Sequence, residues 1–104
     1  MKEHDVFLEI ADIQIRSGEQ VAFEEAIGRA LRTITAKAKG VTGYMLHKGV
    51  ESPERYVMQV LWASVEDHMV TYINTPERQV WRSMVTPFFA QPPKMEHFTL
   101  VTSS

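Results

Sequence analysis

The sequence predicts an α+β domain of the ferredoxin-like type, with an antiparallel four-stranded sheet and helices on one face. Three observations lead to this prediction. Strand and helix patterns follow each other in the order βαββαβ, the second helical region is broken in two at a proline, and the chain is 104 residues long. Because domains of this size are common, we treat residues 1–104 as a single domain.

The first strand is predicted over residues 6–15, which are rich in aliphatic and β-branched side chains with polar ones between them. Leu8 and Ile10 fall in one phase of the strand alternation, whereas Ile13 and Ile15 fall in the other. A change of phase within one strand is typical of a β-bulge. We therefore expect a bulge or twist midway along this strand.

A long helix is predicted after the first strand. Ser17 and Gln20 have the spacing of a capping box, in which the hydroxyl accepts a hydrogen bond from an amide at the helix start. Gly40 is placed to end the helix, since glycine is common just past a helix C-terminus. Apolar residues recur between these points at helical spacing: Phe23, Ile27, Leu31, Ile34 and Ala38.

The rest of the chain predicts a hairpin, two shorter helices and a last strand. Ser64 and Asp67 again have capping-box spacing, and Pro76 suits the first turn of the following helix. The helix after Pro76 ends before Pro87. The predicted strands are residues 42–50, 56–62 and 95–102.

The composition excludes several classes of function. The chain has no cysteine, which excludes disulfides, thiolate metal sites and a cysteine nucleophile. A net charge of −2 provides no field that would attract nucleic acid or an anionic membrane. No signal-like or membrane-spanning apolar run occurs, so we expect a cytoplasmic protein. No metal is predicted, because metal-ligand spacing is lacking among the four histidines His4, His47, His68 and His97.

Apolar side chains occur in both phases of the strands, although helices on one face can cover only one phase. In the third strand, Met58, Val60 and Trp62 share one phase, and Val57 and Leu61 share the other. Leaving a large apolar side chain in water forgoes about 1.5–3 kcal/mol. We therefore predict a homodimer in which a second copy covers the face of Met58, Val60 and Trp62.

An alternative to the dimer is that the chain covers this face by itself. The last helix or residues 88–89 would then fold over the sheet. In the dimer, His97 is a candidate for bracing the two subunits, because it alternates with Phe98 and so points to the opposite face of the sheet.

Several segments from the end of the third strand onward carry a resemblance to a known family. The segments are WASVEDH at 62–68, NTP at 74–76, WR at 81–82, PFFA at 87–90 and PPKMEH at 92–97. In these segments, and along nearly the whole chain up to His97, the sequence resembles the antibiotic biosynthesis monooxygenase family. The resemblance implies a dimeric α/β barrel whose subunits each enclose a pocket between sheet and helices.

Two positions match the branch of this family that oxidises polyketides, namely Trp62 and Arg82. Two depart from it, since Met58 and His68 stand where that branch has an asparagine and a tyrosine. The haem-degrading branch fits less well, because its proximal histidine falls near Arg82, its helix tryptophan near Tyr72, and the first strand has no asparagine. The resemblance therefore implies a monooxygenase without a cofactor that takes a small aromatic phenol, quinol or polyketide and dioxygen.

His68, Arg82 and Trp62 are the candidate catalytic residues. Oxygenation without metal or flavin needs a base, a group that stabilises the substrate anion, and a dry cavity. His68 is the candidate base because histidine titrates near ~6.5, and Arg82 offers a fixed fork of donors to a phenolate. The alternatives are a histidine that braces its helix, an exposed helix arginine and a core tryptophan.

Tyr72, Met58, Trp81 and Phe88 are the candidate substrate-binding residues. The aromatic rings are suited to stack on a flat substrate, and methionine makes an adaptable lining, although all four residue types are equally common in ordinary cores. The second hypothesis for the function is a non-catalytic domain of the same fold that binds a small molecule or serves in assembly. A pocket filled by Trp62, Tyr72 and Phe88 themselves would favour it.

Overall fold

A computed structural model describes residues 6–104, and its elements follow the predicted order. The strands pair antiparallel in the order β2-β3-β1-β4, which is the ferredoxin-like arrangement, so the predicted fold class is confirmed. The sheet does not close within the chain, and β2 and β4 are its edges. The bounds are β1 Phe7–Gln14, α1 Gln20–Thr33, β2 Val41–Lys48, β3 Arg55–Trp62, α2 Pro76–Val85 and β4 Lys94–Thr99.

The start and end of α1 differ from the prediction. The residue before the helix is Glu19, and no side chain caps it, so the predicted capping box of Ser17 is wrong. Ser17 is placed too early because the chain first turns at Gly18, whose φ is +82°. The α-helix ends at Thr33, and a 3-10 turn follows before Gly40.

β1 contains no bulge, contrary to the prediction. Its register with β3 runs without a shift along the whole strand. Leu8 and Ile10 lie on one face of the sheet, and Ile13 lies on the other. The two phases in the sequence arise because both faces of this strand carry apolar side chains, and not because of a bulge. The register shift in the sheet is in β2 instead, between Val41 and Gly43.

The face of the sheet that packs against the helices, here called the helix face, holds the core. Met58, Val60 and Trp62 lie on it and are at most 5% exposed. The prediction that a second subunit covers these three residues is therefore wrong. Strand alternation separates the two faces of a sheet but does not tell which of them meets the helices. Buried alongside them are Ala11, Ile13, Phe23, Ile27, Ala30, Leu31, Tyr56 and Val85.

The opposite face of the sheet, here called the open face, also carries apolar side chains. Leu61 is 40% exposed and Phe98 44% exposed, and both belong to a row that crosses the sheet with Leu8. Polar pairs lie beside this row, including an ion pair in which Arg55 donates two hydrogen bonds to Asp12 at 2.7 and 3.0 Å. No helix of the described part of the chain covers the open face.

The second helical region is irregular, as its sequence predicts. Asp67 donates its amide hydrogen to the Ser64 hydroxyl at 3.0 Å, which confirms that cap. A π-helical turn at Asp67–Thr71 is followed by a 3-10 turn at Tyr72–Asn74. Thr75 then caps α2, and Pro76 is its first residue. Turns of the π type occur often at functional sites, and His68 lies in this one.

Gly40 should be more sensitive to substitution than Gly18, although both have positive φ. A Cβ at Gly40 would overlap the side chain of Asp67, whereas a Cβ at Gly18 would meet nothing within 4 Å. We expect Gly18→Ala to lower the free energy of unfolding by about 1–2 kcal/mol through backbone strain alone. Gly40→Ala should lower it further, because the segment that carries His68 must move. Denaturant unfolding measures both, and equal losses would contradict this account.

Candidate active site

A cavity of about 600 Å³ lies between the helix face of the sheet, the irregular helical region, α2 and the connector to β4. Ligand pockets in proteins commonly have volumes of ~300–1,000 Å³. Most of the wall is apolar, and a few polar side chains converge on it. The wall includes Ala11, Ile13, Val60, Phe89, Pro92, Pro93 and Met95.

Six of the seven predicted site residues line this cavity. Phe88 does not, because the 3-10 turn at Thr86–Phe88 turns its ring towards α1, where its centroid lies 5.9 Å from that of Phe23. The next residue, Phe89, lines the cavity instead and forms a β-bridge with Ile15. The six residues that the structure brings together are Met58, Trp62, His68, Tyr72, Trp81 and Arg82.

Trp62 connects two polar groups in the wall of the cavity. Its indole Nε1 donates a hydrogen bond of 2.9 Å to Oε1 of Glu9 on the neighbouring strand. Its ring is stacked on the imidazole of His68, with centroids 4.6 Å apart and planes at 14°. The hydrogen bond satisfies the indole, and the stacking fixes the plane of His68.

Glu9 is a site residue that the sequence analysis missed. It is 5% exposed, it lies on the helix face of β1 opposite Val60, and it lines the cavity. Burial raises the pKa of its carboxyl group above the usual value, and the hydrogen bond from Trp62 offsets only part of this. A signal was present in the sequence, because Phe7, Glu9, Ala11 and Ile13 form one unbroken phase with a single charged member.

His68 is held by polar groups at both ring nitrogens. Its Nδ1 lies 2.8 Å from Nε2 of His97, with which it shares a hydrogen bond, and its Nε2 lies 3.6 Å from Oε1 of Glu9. Burial lowers the pKa of His68 to about 4, and the charges of His97 and Arg78 act in the same direction. The imidazole is therefore neutral at pH 7.

His97 lies on the helix face of β4, directly opposite Glu9 in the register. The expectation that it braces a dimer through the other face is therefore wrong. The alternation with Phe98 was read correctly, but the phase of His97 is the one that meets the helices. Its hydrogen bond to His68 places it at the cavity wall rather than at the open face.

Two arginines from α2 line the cavity one helical turn apart. Arg82 is exposed and Arg78 is half-buried, and neither forms an ion pair with another of the described residues. Two buried polar atoms, Tyr72 Oη and Trp81 Nε1, also have no hydrogen-bond partner among residues 6–104. Burial, followed by the charge of Glu9, raises the pKa of Tyr72 to about 12, so its phenol stays neutral.

The described range contains no group of three His, Cys, Asp or Glu side chains that could hold a metal ion. His4, one of the histidines considered in the sequence analysis, lies outside the described residues. Within residues 6–104, no helix has the length and apolar character needed to cross a membrane.

The protein has a ferredoxin-like fold with a cavity of the size that small-molecule pockets have, and comparison with known proteins gives the family. The sequence profile of the antibiotic biosynthesis monooxygenases matches residues 6–84. The protein belongs to the antibiotic biosynthesis monooxygenase family. It is 31% identical to the uncharacterised protein YczJ of Bacillus subtilis over 93 residues, which cover 86% of this chain and 94% of YczJ.

Solved structures show the same fold. A Bordetella bronchiseptica protein assigned to the antibiotic biosynthesis monooxygenases is 34% identical, with a TM-score of 0.88 over 93% of this chain and 98% of that one. SnoaB of Streptomyces nogalater, a cofactor-independent oxygenase, is 14% identical, with a TM-score of 0.82 over 95% of this chain and 96% of that one. At that identity, SnoaB shares the fold alone.

The lowered pKa of His68 should make the protein sensitive to acid. Its imidazole is neutral in the folded state down to about pH 4 but gains a proton below about pH 6.5 when the chain unfolds, so stability is lost as the pH falls through this window. Allowing for partial solvent screening, we expect a loss of roughly 2 kcal/mol.

The contribution of Glu9 to the free energy of unfolding changes in the opposite direction, because its raised pKa favours the folded state as the pH falls. The measurement is therefore the difference between the wild type and His68→Gln in unfolding free energy from pH 7 to pH 4. The variant should lose less than the wild type. His47→Gln, on the open face, is the control and should follow the wild type. Parallel curves for all three proteins would contradict the assignment.

Proposed function

We propose that this protein is a monooxygenase that needs no cofactor and oxidises a small aromatic phenol, quinol or polyketide with dioxygen. Family membership and the relation in fold to SnoaB, a cofactor-independent oxygenase, support this type of reaction. The observation that carries the proposal is the cavity itself, since its apolar wall holds flat aromatic side chains beside a buried base and two guanidinium groups that form no ion pair within residues 6–104.

A non-catalytic domain that binds a small molecule would also have a cavity of this size, so the open cavity argues only against the alternative of an assembly domain whose pocket is filled. That alternative expects Trp62, Tyr72 and Phe88 to fill the space. Phe88 packs against α1 instead, and about 600 Å³ remains open between the other two residues and the connector to β4. A substrate of one to three fused rings fits such a volume.

The reaction draws its electrons from the substrate. Loss of the phenolic proton gives an anion that transfers one electron to dioxygen, and the resulting radical and superoxide combine to form a carbon–oxygen bond. The peroxide then loses water and leaves a carbonyl, so that a CH₂ group and O₂ become C=O and H₂O. The protein must accept a proton, stabilise the phenolate and exclude water.

The lining residues offer these three functions. His68 is buried beside the carboxylate of Glu9, and this pair supplies the base. Arg82 is the anchor of the phenolate, because its guanidinium lines the cavity and has no carboxylate partner in the part of the chain that the structure describes. The aromatic part of the wall, against which a flat substrate stacks, consists of Trp62, Tyr72 and Trp81. Met58 adapts to the outline of the substrate.

We also propose that two copies associate through the open face. Leu8, Leu61 and Phe98 form an apolar row there, and the chain has no further element to cover it among the described residues. A two-fold contact would bury the row against itself. The cavity lies on the opposite side of the sheet, so both subunits keep their own site.

Oxygen consumption tests the proposed reaction. Metal-stripped protein supplied with a panel of quinols and anthrone-like phenols should consume one O₂ per product carbonyl. Arg82→Ala should lower kcat/KM by about 10- to 100-fold, because a hydrogen bond to a charged group contributes about 1.5–3 kcal/mol. Arg29→Ala, an exposed arginine on α1, is the control and should not change the rate. Absence of turnover across the panel would refute the proposal.

Sedimentation tests the association. Leu61→Lys puts a charge into the apolar row of the open face and should convert a dimer to a monomer. Val21→Lys makes the same change at an apolar residue of α1 that is already 83% exposed, and should leave the dimer intact. A wild type that sediments as a monomer at micromolar concentration, or a dimer that survives Leu61→Lys, would disprove the contact.

A further inference from the structure

We propose that Glu9, and not His68, accepts the substrate's proton. His97 is a positioning residue that acts on Glu9 through His68. The inference deepens the proposed function, on which it rests, by naming the group that touches the substrate. It follows from how three polar side chains lie against one another at the cavity wall: Glu9 on β1 and His68 in the π-helical turn, which are buried, and His97 on β4, which is half-buried.

Both ring nitrogens of His68 have polar neighbours, although only Nδ1 is within hydrogen-bond distance of its neighbour. Nδ1 shares its hydrogen bond with His97 at 2.8 Å, and Nε2 faces the carboxylate of Glu9 at 3.6 Å. One face of the imidazole ring is also covered, because the ring of Trp62 stacks on it with the centroids 4.6 Å apart. Because a base must bring a lone pair within hydrogen-bond reach of the proton that it removes, His68 would first have to break one of these contacts.

Glu9 does have an oxygen to offer. Trp62 donates to Oε1, and His68 approaches the same oxygen, while Oε2 makes no hydrogen bond with any of the described residues. The side chain lines the cavity from the middle of β1. Its burial makes the carboxylate a stronger base than an exposed glutamate, which suits removal of a phenolic proton near neutral pH.

The contacts among Glu9, His68 and His97, here called the array, decide which ring nitrogens carry a hydrogen. A neutral imidazole has one N–H, so His68 either donates to His97 or turns its N–H towards Glu9. An ionised Glu9 favours the second arrangement, in which Nε2–H of His68 faces the carboxylate and Nε2–H of His97 donates to Nδ1 of His68. His97 thereby keeps the Nε2–H of His68 directed at Glu9. This N–H stabilises the carboxylate until the carboxylate receives the proton.

The groups around the array support this role. Tyr72, from the irregular helical region, stays neutral beside Glu9, and Arg78, from α2, acts on both His68 and Tyr72. Trp62, from β3, is a neutral donor, and Glu77 acts on Tyr72 from the start of α2. Glu9 takes the proton of the phenol and later returns it to the hydroxide that leaves the peroxide, so that no proton is gained or lost in a turnover.

Proton uptake on ligand binding tests the assignment without any turnover. The probe is a nitrophenol, added at a pH above its own pKa so that it arrives as the phenolate. Two negative charges at one site cannot both stay ionised. The wild type should therefore take up about one proton per phenolate bound, as measured by calorimetry in buffers of different ionisation enthalpy. A nitroanisole, which has no ionisable oxygen, is the control ligand and should bind without uptake.

Three variants assign the uptake to one side chain. Glu9→Gln should abolish it, His68→Gln should retain it, and Glu25→Gln, the same change at an exposed glutamate of α1, should behave as the wild type. Uptake that persists in Glu9→Gln overturns the proposal, and loss in His68→Gln with retention in Glu9→Gln assigns the proton to His68. Should Glu9→Gln not fold, the carbon-13 shift of the Glu9 carboxyl in the wild type, with and without nitrophenol, decides the same question.

Nitrogen-15 NMR of the imidazoles tests the positioning role of His97. In the wild type, His68 should carry its proton on Nε2. His97→Gln keeps a donor and should preserve this tautomer, whereas His97→Phe removes the donor and should give a mixture. A mixture in the wild type, or no difference between the two variants, would contradict the role.

In turnover, Glu9→Gln should lower kcat/KM by about 10²- to 10⁴-fold, the usual contribution of a general base. If no quinol is oxidised by the wild type but proton uptake depends on Glu9, the proposed function fails while the assignment of Glu9 holds. If quinols are oxidised and Glu9→Gln keeps the wild-type rate, the assignment fails alone.

Discussion

A carboxylate buried in a largely apolar sheet face is the constraint on which the site depends. Glu9 is placed among core side chains, where an uncompensated charge is costly, and it must find donors. The indole of Trp62 is one donor, and the imidazole of His68 is the other polar group near the same oxygen. His97, opposite Glu9 across the β1–β4 pair, completes the set by holding His68 from its far side.

This constraint explains why an irregular helix is placed above the sheet. A regular α-helix at this point would carry its side chains past the sheet at an even 100° interval. The π-helical turn interrupts that interval, and His68 in the turn is buried against Trp62 and Glu9 while its neighbours Met69 and Val70 stay exposed. The cap by Ser64 and the close approach of Gly40 to Asp67 hold the turn from both sides.

The sequence was enough to predict the fold class and six of the residues that line the cavity. Strand and helix periodicity gave the element order, and family resemblance gave Trp62 and Arg82 as site residues. The same alternation that placed the strands could not tell which phase of β3 meets the helices, because both phases are apolar, and so the wrong face was assigned to the partner. Glu9 was missed for a related reason. The apolar residues Leu8 and Ile10 were assigned to the inner phase at the start of β1, which made Glu9 a solvent-facing residue and required a bulge before Ile13 that is absent.

Pro92 and Pro93 in the wall of the cavity have a consequence for the edge of the sheet beside it. Both lie in the connector that leads into β4, an edge strand, and a proline has no amide hydrogen with which to extend a sheet. A further strand therefore cannot pair with this stretch through backbone hydrogen bonds. The two rings also fix φ at both positions, so the part of the cavity wall that they form is stiff.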